Sequence, residues 1–293
     1  MNLVLTVGEI VAPVFLLAAI GYAWVRLGYE YRLEFVTRLA MTLGVPCLIF
    51  TALMQAEIEP AAIAALSLAT LAAYGLVTAL TALVVWTFSL APRTYLAPLI
   101  FGNTGNLGLP LALFAFGPDG LGLAVVVFAV MAILSFTFGI WLVAGSGNPF
   151  AMLREPLVWA TLAGGLFLWR GWETPTFLTN TLELVGQLAI PLMLITLGVA
   201  VARLRPSGAA RAFMLSLIKL SICAAGAAVV GRWFELPPVA FSVLVLQVAT
   251  PVAVTSYLLA VKYGADADEV AGLVVVSTLT SVVALPLLLG LLI

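Results

Sequence analysis

Long apolar runs separated by brief polar punctuation account for most of the chain. Ten can be drawn, at residues 4–25, 34–54, 61–90, 95–116, 120–143, 155–170, 179–202, 210–231, 237–260 and 268–292. A helix needs about 20 residues to cross a hydrocarbon core of about 30 Å, and most of these runs supply them. The sixth is the weakest and reaches that length only if part of 150–156 is embedded with it. The first run is read as a retained span, not a cleaved signal: no Lys or Arg precedes it, Glu9 interrupts it, and it continues to Val25. The pattern predicts an all-α membrane protein of ten transmembrane helices.

The fourth run carries the strongest irregularity, Asn103-Thr104-Gly105-Asn106-Leu107-Gly108-Leu109-Pro110. Gly105 and Gly108 are poor helix formers, Pro110 lacks an N–H, and two Asn bring amides to membrane depth. Irregular backbone is tolerated at that depth only where protein buries it or a cavity takes it up. A broken span here is therefore a candidate binding site.

The two halves of the chain repeat. Pro13 and Gly21 are answered 143 residues later by Pro156 and Gly164, Gly44-Val45-Pro46 is answered 145 later by Ala189-Ile190-Pro191, and Gly117-Pro118-Asp119 is answered 147 later by Gly264-Ala265-Asp266. Drifting offsets are what small insertions between duplicated halves leave behind. Five spans per half is odd, so the second half enters the membrane inverted, as in many secondary transporters. The partner of the fourth span is then the ninth, where Gln247-Val248-Ala249-Thr250-Pro251 is followed by Thr255 and Ser256. Two broken helices crossing near mid-membrane would aim partly positive N-termini at one point and hold an anion there without a buried cation. The boundaries are 1–143 for the first repeat, 144–154 for a cytoplasmic linker and 155–293 for the second.

Composition narrows the classes. Apolar residues make up 64% and charged residues 9%, with 12 Lys+Arg against 13 Asp+Glu, which leaves neither a soluble domain nor a nucleic-acid binder. With ten spans, one side carries Arg26, Arg32, Arg38, Arg93, Arg154, Arg203, Arg205, Arg211 and Lys262, and the other only Arg170 and Arg232. That bias puts both termini outside the cytoplasm, in a bacterial inner membrane on the periplasmic side. Cys47 and Cys223 read as small packing residues. Histidine is absent, so no HExxH-type metal motif exists and Gly145-Ser146-Gly147 has no histidine base. Neither an enzyme, a metal nor a cofactor is expected.

At Asn103 to Leu111, at Ala249-Thr250-Pro251 with Lys262-Tyr263, at Val45-Pro46, and at Pro191-Leu192 to Gly198, the sequence resembles the auxin efflux carrier family, which includes the plant PIN-formed carriers and bacterial relatives. The resemblance implies a scaffold of spans 1, 2, 6 and 7, a transport domain of spans 3–5 and 8–10, an elevator-like movement and a homodimer. It implies a small organic acid as solute. Plant carriers place a proline before the crossover asparagine and an amide after the ninth-helix proline; here those positions are Gly102 and Val252. Auxin itself is therefore not implied.

The expected substrate-binding residues are Asn103, Thr104, Asn106, Gln247, Thr250 and Thr255. Each could instead satisfy its own broken helix or bond between helices. Gly105, Gly108, Pro110 and Pro251 shape the breaks, and Pro46 and Pro191 bend scaffold helices. Glu9, Glu183 and Lys219 are coupling candidates because ionisable groups inside spans are costly. The two acids lie near span ends, and Lys219 is expected to snorkel to the interface. Asp119 and Asp266 read as helix caps. Two other readings remain open. One is a sodium-coupled symporter of the bile-acid type, disfavoured because no carboxylate stands near either break. The other is a solute sensor that binds without transporting.

Overall fold

The computed structural model describes residues 3–56, 59–145, 155–204 and 208–293. Among these, every regular element is helical. Helix α1 (Leu3–Arg26) is followed by α2 (Leu33–Leu39), which runs through a wide π-type turn, Ala40–Gly44, into α3 (Val45–Met54). The widening precedes Pro46, whose missing N–H cannot close a regular turn. Helix α4 (Pro60–Thr87) starts on a proline, as does α5 (Pro92–Ile100), where the missing donor costs nothing. After a break, a second π-type turn, Thr104–Gly108, leads into α6 (Leu109–Leu134). Gly117 folds α6 sharply with φ 69° and ψ −161°. A third wide turn, Ser135–Gly139, precedes α7 (Ile140–Ala144).

The second half begins with α8 (Pro156–Arg170). Helices α9 (Thr176–Gln187) and α10 (Ala189–Arg203) meet at Leu188, where Pro191 cannot donate to the carbonyl of Gln187. Then come α11 (Ala209–Trp233), α12 (Pro238–Val248), an extended stretch, α13 (Val254–Tyr263) and α14 (Ala267–Leu292). The Asp266 carboxylate caps α14 by accepting from the Glu269 N–H at 3.1 Å. Seven helical stretches among the described residues are long and apolar enough to cross a membrane by themselves. They differ in number from the ten apolar runs where a run is broken, as at α5 and at α12–α13, or short, as at the 15-residue α8. The stretch 104–144 is also kinked at Gly117.

Two packing groups emerge. Helix α1 lies along α10, and α3 packs on α8 and α9. Helix α11 packs on α4, α12 and α14, while α6 packs on α4 and α12. The α1–α10 contact is backbone to backbone. A Cβ on Gly21 would run into the carbonyl of Ile195, and one on Gly198 into that of Ala18, the small-residue approach typical of membrane helices. All seven tryptophans are exposed, and each sits close to a helix end. That is where an indole can face lipid with one edge and the headgroup region with its N–H.

Candidate functional site

The site is built where two helices stop short. Helix α5 ends at Ile100 and the chain runs extended through Phe101 (φ −92°, ψ 125°). Helix α12 ends at Val248, and the chain is extended again at Ala253 (φ −69°, ψ 139°) before α13. The two extended stretches lie antiparallel. Gly102 pairs with Val252, and the Asn103 N–H donates to the Pro251 carbonyl at 2.7 Å. The Val252 N–H finds the Ser277 hydroxyl at 3.0 Å, so backbone freed by the breaks is re-satisfied within the protein. Glycine permits this approach. A Cβ on Gly102 would strike the Thr250 hydroxyl, and one on Gly108 the Gln247 amide.

The crossing sorts four helix ends onto two sides. On one side stand the N-terminus of the segment beginning at Thr104 and that of α13. Neither has a side-chain cap. The first donors back to Asn103 are Leu107 and Gly108, at 3.1 and 3.2 Å, so the N–H groups of Thr104, Gly105 and Asn106 precede the helical ladder. A cavity of about 60 Å³ lies here, lined by Asn103, Gly105, Asn106, Ala253, Val254 and Thr255 from the breaks, with Phe128, Met131 and Ser135 from the fifth apolar run and Met41 and Leu157 from the other packing group. Lysine, arginine and carboxylate side chains are all missing from that lining. Asn103 is 5% exposed, and its Nδ2 has no partner among the described residues. The site can offer amides and helix dipoles to an anion, and nothing that repels one.

On the opposite side are the C-terminal ends of α5 and α12. A small space of about 20 Å³ is lined by Ala249, Thr250, Pro251, Ser277 and Ser281 together with Lys219 of α11. Lys219 is 3% exposed and donates to the Leu99 carbonyl at 3.2 Å. The expected snorkelling does not occur: the side chain ends on an acceptor inside the protein. The sequence signalled the residue; its destination depended on a carbonyl 120 positions away.

The other expected residues divide clearly. Asn103, Asn106 and Thr255 come together at the first cavity. Thr104 and Gln247 are fully buried within the crossing, with polar side-chain atoms that have no partner among the described residues, and neither lines that cavity. Thr250 lies on the Lys219 side and donates to the Gln247 carbonyl at 2.7 Å. Gly105 sits where a Cβ would press on Phe128 at 3.1 Å and Met193 at 3.4 Å. Pro110 is buried in the first turn of α6, and Pro251 accepts the crossover bond. Pro46 and Pro191 lie at helix discontinuities away from the cavity lining. Glu9 is exposed on α1. Glu183 accepts from Gln55 Nε2 at 2.6 Å and lines a separate space of about 210 Å³ with Asp119 and Gln187. Met41, Phe128 and Leu157 escaped the sequence reading because a single apolar residue on a periodic helix carries no mark of facing a site.

Comparison with known proteins agrees with this architecture. The family model described as membrane transport protein matches residues 6–161 and 149–289. An uncharacterised transporter of Methanothermobacter thermautotrophicus is 27% identical over 299 residues, covering 95% of this chain and 96% of that protein. An uncharacterised transporter of Methanocaldococcus jannaschii is 23% identical over 201 residues, covering 64% of each. With the family matched along nearly its whole length, the chain belongs to the membrane transport protein family, that of the auxin efflux carriers, and is an integral membrane protein.

Proposed function

We propose that this protein is a secondary transporter of a small organic anion, a carboxylate, bound between Asn103, Asn106 and the two helix N-termini at the crossing. One observation carries the reading: two N-termini without a side-chain cap and a buried Asn103, whose Nδ2 has no partner among the described residues, border one cavity lined by no charged side chain. Each terminus offers roughly half a positive charge, and in a low-dielectric surround such partial charges act strongly on an anion. The cavity is far below the roughly 300–1,000 Å³ of a drug-sized pocket, which favours an acid of a few carbons.

Ten spans arranged as two inverted repeats account for the position of the site at the meeting of the halves. The packing groups support a division of labour in which α1–α3 and α8–α10 form a scaffold and α4–α7 and α11–α14 travel as a body. The cavity lies on the seam between them, touched by Met41 and Leu157 from the first group. An elevator-type displacement along that seam would carry the bound acid from one face to the other.

The test is a thermal-shift screen of purified protein against short mono- and dicarboxylates, repeated with Asn103→Ala. A carboxylate that raises the wild-type melting temperature and loses at least tenfold in affinity with Asn103→Ala is the expected result, followed by its uptake into proteoliposomes. If no carboxylate shifts the wild type while neutral solutes do, the anion reading fails.

A further inference from the structure

The anion reading uses only one side of the crossing. The other side holds a buried lysine that it does not explain. Lys219 lies in the middle of α11, buried, with no carboxylate among the residues that line its surroundings: Ser216, Thr250, Pro251, Ser277, Thr280 and Ser281 are the polar or backbone-bearing neighbours. Its nearest titratable neighbour is Cys223, whose Sγ is 3.8 Å from Nζ. An ammonium at membrane depth without such compensation is expensive, so the partner it does have matters.

That partner is a product of the break. In an unbroken helix the Leu99 carbonyl would accept from the N–H of residue 103. Here the Asn103 N–H has turned away to the Pro251 carbonyl at 2.7 Å, and Lys219 Nζ takes the vacated acceptor at 3.2 Å. The ammonium therefore sits at the C-terminal, partly negative end of α5, beside Ala249 and Thr250 at the corresponding end of α12. Ends of this kind, with unwound carbonyls, are where transporters of broken-helix design coordinate a coupling cation. Only about 20 Å³ remains beside the side chain, roughly the room of one water.

We propose that Lys219 is a tethered cation: its ammonium occupies, permanently and from within the chain, the monovalent-cation position at the C-terminal ends of the two broken helices. The crossing then needs no free sodium to assemble. The proposal extends the anion reading by giving the guest a fixed countercharge across the crossing, but the tethered cation is testable without any solute.

The experiment replaces the tether by a free cation. Lys219→Ala removes the atoms of a propylammonium ion. Thermal unfolding of wild type and variant is followed in N-methylglucamine chloride, sodium chloride and propylammonium chloride at equal ionic strength. The wild type is expected to melt at the same temperature in all three. The variant is expected to melt lower in N-methylglucamine and to recover several degrees in propylammonium or sodium. A variant indifferent to the cation, or a wild type that itself gains stability specifically from sodium, overturns the proposal. Should Lys219→Ala yield no folded protein, Lys219→Met decides. An apolar residue of similar length that melts like wild type in N-methylglucamine shows that Lys219 only fills space, whereas a depressed melting temperature raised by sodium supports the tether. Where a carboxylate ligand has been found, its affinity is expected to fall at least tenfold in Lys219→Met. If the cation arm succeeds while no carboxylate binds wild type, the tether stands and the anion reading falls.

Discussion

At the scale of single residues, the crossing depends on missing side chains as much as on present ones. Gly108 leaves the space into which the Gln247 amide fits, and a Cβ there would collide with its oxygen and carbon. Gln247 is fully buried and has nowhere to swing. Overfilling a tight site costs about 1–3 kcal/mol, so Gly108→Ala is expected to lower the melting temperature in detergent. Adding Gln247→Ala removes the obstacle and should return part of the loss, since contacting residues are coupled in double-mutant cycles. If the double variant is the sum of the singles, Gln247 is not what Gly108 makes room for. The same contact gives the position of Gln247. Its amide was a natural ligand candidate by residue type and position in the run. The structure instead sets it against the first turn after the break, a placement that depends on how α12 meets α6.

At the scale of elements, glycine has opposite meanings in different helices. Gly117 turns α6 with φ 69° and ψ −161°, a region essentially reserved for glycine, where another residue costs of order 1–3 kcal/mol. Gly75 lies inside α4 with open space where a Cβ would go, and replacing a helical glycine by alanine gains up to about 1 kcal/mol. Gly117→Ala is expected to lower the melting temperature and Gly75→Ala to hold or raise it; equal shifts would mean the turn at Gly117 is not sharply constrained. The breaks themselves were legible because asparagine, glycine and proline cluster at 103–110, and an amide, a hydroxyl and a proline at 247–251, inside apolar runs, where irregular backbone must be buried in protein or line a cavity. The discontinuity between α9 and α10 was less so, since Pro191 was read as a bend in one continuous span. The burial of Lys219 was not legible at all. It follows from the loss of the Leu99–Asn103 backbone bond to a partner, Pro251, in the other half of the chain. Sequence local to Lys219 says nothing of that exchange.

At the scale of the whole molecule, hydrogen bonds sort the connections onto two ends. Arg93 donates to the Val143 carbonyl at 2.8 Å and the Tyr263 carbonyl at 3.0 Å, Arg211 pairs with Glu269 at 3.2 Å, and Tyr95 donates to Glu269 at 2.8 Å. Arg203 reaches the Tyr31 carbonyl at 2.6 Å. These contacts come from the arginine-rich connections. Elsewhere Gln55 bonds Glu183 and Thr174 bonds Thr179 at 2.7 Å, in connections poor in basic residues. The first turns of α1 and the last turns of α14 share one apolar cluster through Val7, Leu285 and Leu289. An even number of crossings would place both ends on one side of the membrane, and the proposed topology takes its orientation from the nine-to-two excess of basic residues on the other side. A C-terminal alkaline phosphatase fusion in a bacterial host is therefore expected to be active and a C-terminal green fluorescent protein fusion dark, with the reverse pattern when the fusion is moved to residue 204, after α10. A C-terminal fusion that is fluorescent together with the fusion at residue 204 would leave an even number of crossings between them. The second repeat would then not be inverted with respect to the first, and two helix N-termini could not converge on one guest by symmetry.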